Sequence, residues 1–94
     1  MLRSDTFQPV PIYRLLENYR LCLLWRLELW FGPGAEVQRV GSEPVLTVTR
    51  DQHSAIMEFH PELCRWTMTS GAVRSEGSFD RASKRLRQLF SGLP

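Results

Sequence analysis

His53, His60, Glu62, Cys22 and Cys64 are the side chains of this 94-residue sequence best suited to proton transfer, nucleophilic attack or metal binding. His60, Glu62 and Cys64 alternate, so a strand would place all three on one face, but Pro61 interrupts it. No fourth ligand stands at a zinc spacing. The expected arrangement is therefore a surface imidazole, a turn carboxylate and a core thiol. Cys64 shares its alternation with Trp66 and Met68, which predicts a buried and inert sulfur. A Cys–His nucleophile pair would need long-range contacts. The glycines at 32, 34, 41, 71, 77 and 92 match neither a P-loop nor a dinucleotide fingerprint. No catalytic centre, metal, cofactor or small-molecule substrate is expected, and the chain is read as non-enzymatic.

Binding chemistry is better represented. Leu21, Trp25 and Leu29 recur every fourth residue, opposite a second stripe formed by Ile12, Leu16, Tyr19, Leu23, Leu27 and Trp30. A helix that is apolar nearly all round must bury both faces, in its own fold or against another chain. The second stripe is assigned to the core. Leu21, Trp25 and Leu29 are then the candidate contact with another protein, which includes a second copy of the chain, and Trp is enriched at binding hot spots. The competing occupant is the chain's own N-terminal arm, folding back with Phe7, Val10 and Ile12. If residues 24–31 were instead a strand, Trp30 would point outward and join the partner surface.

A second candidate lies near the C-terminus. Arg81, Lys84 and Arg85 form a basic ridge, with Arg87 and Arg74 nearby in sequence, on which phosphates could sit. Residues 71–94 carry five basic and two acidic groups, the most basic part of the chain. Against this, an amphipathic helix must put its charges outside, and the net charge of the whole chain is only +2.

The elements that position these residues follow from periodicity. Residues 11–31 are rich in Leu, Arg and Glu, strong helix formers, and Gly32-Pro33-Gly34 supplies a stop. The rival strand over Trp25, Leu27, Leu29 and Phe31 would turn at that Gly-Pro-Gly into Val37–Val40. Val45–Thr49 is dense in β-branched residues and reads as a strand. Ala55, Met57 and Phe59 alternate as the next strand, and Cys64, Trp66 and Met68 as a third. Ser70-Gly71 turns into a short strand at Ala72–Arg74. Ser78 is a plausible N-cap for a last helix with Asp80 in its first turn. Phe79, Ala82, Leu86, Leu89 and Phe90 form its apolar face. The expected fold is α+β, a two-layer sandwich with an antiparallel sheet of about four strands in the order α-β-β-β-β-α.

This outline is similar to double-stranded-RNA-binding domains in the order of elements alone. Ser83-Lys84-Arg85 lacks the Lys-dense helix start of that family, and no loop histidine follows Gly32-Pro33, so the family is not assigned.

Bulk features bound the reading. A 10.9 kDa chain with 43% hydrophobic and 23% charged residues is expected to form one domain over residues 1–94, with 1–10 a loosely ordered lead-in. No apolar run follows Arg3, so no secretory signal is read. Arg26 and Glu28 interrupt the most apolar stretch, which falls short of the ~20 apolar residues a span requires. Two isolated cysteines fit a reducing compartment, and a cytoplasmic protein without membrane contact is expected. The functional expectation is an accessory or inhibitory protein that occludes a site on a larger protein, of a kind phage and mobile elements encode. The alternative is a nucleic-acid-binding module using the last helix.

Overall fold

A computed structural model describes residues 12–92, apart from the side chain of Tyr13. The elements are α1 (Ile12–Phe31), β1 (Ala35–Arg39), β2 (Val45–Arg50), β3 (His53–His60), β4 (Arg65–Ser70), β5 (Val73–Gly77) and α2 (Phe79–Phe90), with a 3₁₀ turn at Pro61–Leu63. The five strands form one antiparallel meander in sequence order. The class is α+β, as the periodicities predict. The strand reading of residues 24–31 is overturned, because the helix runs unbroken to Phe31. Ala35–Arg39 still pairs as an edge strand, so the sheet of about four strands has five. Only Val37 of β1 is buried, so this strand carries little apolar signal of its own.

Both helices lie on one face of the sheet. That face carries Val37, Leu46, Val48, Ala55, Met57, Trp66 and Met68, which pack against Leu16, Leu23 and Leu27 of α1 and Ala82, Leu86 and Phe90 of α2. The register fixes this division. Val48 pairs with Ala55 and Met57 with Met68, while Thr47, Ile56, Thr69 and Arg74 form a row on the opposite face. Tyr19, Phe59, Trp66 and Phe79 add an aromatic cluster with centroid separations of 4.6–6.2 Å.

Two arginine contacts tie α1 to the sheet, one at its C-terminal end and one midway along it. At its C-terminus, Gly32 adopts φ 85° and donates its N–H to the Glu28 carbonyl at 2.8 Å. The last turn has no basic residue of its own. Arg50, at the end of β2, takes that role. It donates to the Phe31 carbonyl at 3.2 Å, and its guanidinium lies over the Phe31 ring at 4.8 Å. Midway along the helix, Arg20 bonds Glu17 and donates to the Val37 carbonyl at 3.1 Å, covering part of the β1 edge.

The start of α2 is local. Ser78 is the N-cap and its Oγ accepts from the Arg81 N–H at 3.1 Å, as the sequence predicts. Ser83, fully buried, donates its hydroxyl to the Phe79 carbonyl at 2.8 Å, so its burial leaves no unmet donor.

Candidate functional site

The residues with the most reactive side chains do not converge. His53 stacks near Phe90, with centroids 5.5 Å apart. His60 Nε2 lies 3.2 Å from Thr67 Oγ1. Glu62 belongs to the 3₁₀ turn, and Cys22 is half-buried on α1. Among the described residues, no group of three His, Cys, Asp or Glu side chains is placed to hold a metal ion.

Cys64 corrects the sequence expectation. It is not a member of the strand that follows but caps the 3₁₀ turn, with φ 50° and its N–H on the Pro61 carbonyl at 3.2 Å. β4 begins one residue later, at Arg65. The thiol is therefore exposed, not buried beside Trp66 and Met68. The alternation was real, but Pro61 forces a turn that rotates Cys64 out of the strand's pleat. Cys64 borders a recess of about 460 Å³ whose other walls include Tyr19, Phe59, Phe79 and the Arg26–Asp80 pair.

The outward side of α1 presents Leu21 at 49%, Trp25 at 63% and Leu29 at 65% exposure, while Leu23 and Leu27 on the inner side are fully buried. At 3.6 residues per turn the two stripes stand roughly 180° apart, and the outer one runs about 12 Å along the helix. Its exposed polar neighbours are Arg14, Asn18 and Glu28. Of the arm proposed to cover it, Phe7 and Val10 lie outside the described residues, as does the lead-in at 1–10. Trp30 does not belong to this stripe. It points along the flank toward α2, where the Arg87 guanidinium lies over its ring with Cζ 5.1 Å from the centroid.

The outer side of α2 carries Arg81, Lys84, Arg85 and Arg87, all on one helix as expected. Arg74 stands apart. It sits on β5 opposite Thr69, on the sheet face away from the helices, and pairs with Glu76 at 3.1 Å. Alternation in β5 separates it from the ridge that its sequence position suggested. Asp80 is the acidic counterweight: it pairs with Lys84 and with Arg26 of α1, each at 3.2 Å. Hydrogen bonding and charge from Lys84 hold its carboxyl below the usual aspartate range, with Arg26 adding to the effect and partial burial opposing it.

Two grooves flank Lys84 and Gln88. One, of about 590 Å³, is lined by Trp30, Phe31, Lys84, Arg87, Gln88 and Ser91. The other, of about 320 Å³, is lined by Ser75, Arg81, Lys84, Arg85 and Gln88. Sequence reasoning assigned Trp30 and Arg87 to different surfaces. Their stacking was not visible, because it depends on how two distant helices lie together. No helix among the described residues is long and apolar enough to cross a membrane. The chain matches no known family model, no curated protein and no solved structure.

Proposed function

We propose that this chain is a non-enzymatic docking module that associates through the Leu21–Trp25–Leu29 face of α1, with a second copy of itself as the occupant. The observation that carries the reading is the exposure of three large apolar side chains in one line, directly opposite a stripe already spent on the core. The stripe is also a palindrome. Leu, Trp and Leu at equal spacing read the same from either end, so a two-fold axis at Trp25 sets Leu21 of one copy against Leu29 of the other. Isologous contacts demand such self-complementarity. Trp25 would be the buried centre, with Arg14, Asn18 and Glu28 in the polar rim. Occupation of the same face by a larger protein is the accessory form of this activity.

Light scattering coupled to size exclusion, over a wide range of concentration and at low and high salt, tests the proposal. A concentration-dependent dimer that survives high salt is expected, since apolar contacts are not screened. Truncating one central Trp removes about 2 kcal/mol or more and the symmetric dimer loses two, so Trp25→Ala should weaken the dimer by at least about thirtyfold. Trp25→Ala with Leu29→Ala should run as a monomer with an unchanged circular dichroism spectrum. A wild-type monomer at every concentration overturns self-docking, and so does a dimer indifferent to the double substitution.

A further inference from the structure

The ridge of α2 holds more positive charge than a solvated helix face requires. Four cations, Arg81, Lys84, Arg85 and Arg87, share the helix with one carboxylate, Asp80, and Asp80 is divided between Lys84 and Arg26. Among the described residues no carboxylate pairs with Arg81, Arg85 or Arg87. Arg85 instead donates to Gln88 Oε1 at 2.9 Å. This excess borders the two grooves that meet at Lys84 and Gln88, and one of them contains the Trp30–Arg87 stack.

We infer that this surface binds single-stranded nucleic acid, with a base stacked at Trp30 and Arg87 and the adjoining phosphates on Lys84, Arg81 and Arg85. The cations alone would suit any polyanion. The planar guanidinium on an indole face is what selects among them, because every base offers a π-face that stacks on aromatic and Arg planes. An acidic peptide has phosphate-like charge but little use for that platform. Strandedness follows from the same feature, since a base is free to leave its neighbours and stack only where it is unpaired. None of Leu21, Trp25 and Leu29 lines either groove, so this inference stands apart from the docking proposal.

Fluorescence anisotropy with a labelled oligothymidylate over a salt series is the test, with polyglutamate of equal length and a duplex of the same length as competitors. Affinity should fall with salt, and Arg81→Gln with Arg85→Gln should reduce the slope of log K against log salt by about 1.4, near 0.7 for each lost phosphate contact. Arg87→Lys keeps the charge and loses the guanidinium plane, so it should weaken binding on the order of tenfold with little change in slope. That variant alters no buried side chain. Trp25→Ala with Leu29→Ala should bind as wild type does, which separates failure here from failure of the docking face. No binding at low salt overturns the inference. So does polyglutamate or the duplex competing as well as the single strand, or Arg87→Lys binding unchanged.

Discussion

The outer faces of α1 and α2 lie side by side above the same sheet, yet they are built from opposite materials. On α2 the division is clean: Ala82, Ser83, Leu86 and Phe90 are buried, and the far side is Arg, Lys and Gln. On α1 the inner side is equally apolar, but the far side is Leu, Trp and Leu. A helix folding only against its own sheet needs one apolar stripe, and α2 has one. The second stripe on α1 has no work to do in the monomer described between residues 12 and 92. The lesson is that a helix can be overbuilt for its own domain, and that surplus is what the docking proposal rests on. The surplus on α2 is of charge instead, three arginines beyond what Asp80 can balance.

The largest effect that separates the two sides of α1 should come from the core. Leu23 is fully buried, so Leu23→Ala should lower unfolding free energy by about 2–5 kcal/mol in urea denaturation. Trp25 is a larger residue two positions away and mostly exposed. Trp25→Ala, measured at concentrations low enough to favour the monomer, should change stability by within about 0.5 kcal/mol. Comparable losses in both would show that Trp25 is covered within the chain, and the surplus stripe would no longer point to a partner.

A smaller effect concerns how α2 is started. The first turn of α2 depends on one hydroxyl, since Ser78 Oγ receives the Arg81 N–H. Ser78→Ala should cost about 1 kcal/mol, and Ser78→Asp should largely restore it. The ridge begins at Arg81, so the same substitution should fray the start of the cationic face first, visible as loss of amide protection at Arg81 and Ala82. Equal protection in both proteins would place the stability of that turn in the packing of Phe79 rather than in the cap.

What could be read from the chain depended on whether the information was local. The N-cap at Ser78, the apolar face of α2, the Gly32 stop and the outward stripe of α1 are all set by spacing within one element, and spacing is visible in sequence. About four strands were legible, and β1 is the one beyond them because it owes its pairing to β2 and to Arg20 at its edge, not to alternating apolar residues. Cys64 followed the strand rhythm on paper, but Pro61 shifted the frame by one turn. Arg74 and Arg87 were equal candidates by charge and neighbourhood. Only the pleat of β5 sends Arg74 to the other side of the sheet, and only the meeting of two helices sets Arg87 on Trp30. Contacts between elements distant in sequence are where composition and periodicity stop carrying information.

The finest contrast concerns the single carboxylate that tempers the ridge. Asp80 has its carboxyl held below the ordinary range, first by hydrogen bonding from Lys84 and then by the charge of Lys84, with Arg26 contributing less. A depressed carboxyl stabilises the fold above its unfolded pKa of about 3.9, and that contribution is lost as pH falls through the lower, folded value. Asp80 is mostly exposed, so the thermodynamic effect is screened and the titration itself is the better observable. In a carboxyl-carbon NMR titration, Lys84→Ala should raise the Asp80 midpoint toward that of a free aspartate, and Arg26→Ala should raise it less. The reverse order would make Asp80 chiefly an anchor between α2 and α1. In the order expected, it is a counter-ion internal to α2, and the ridge becomes more positive only when the solution is acidic enough to protonate it.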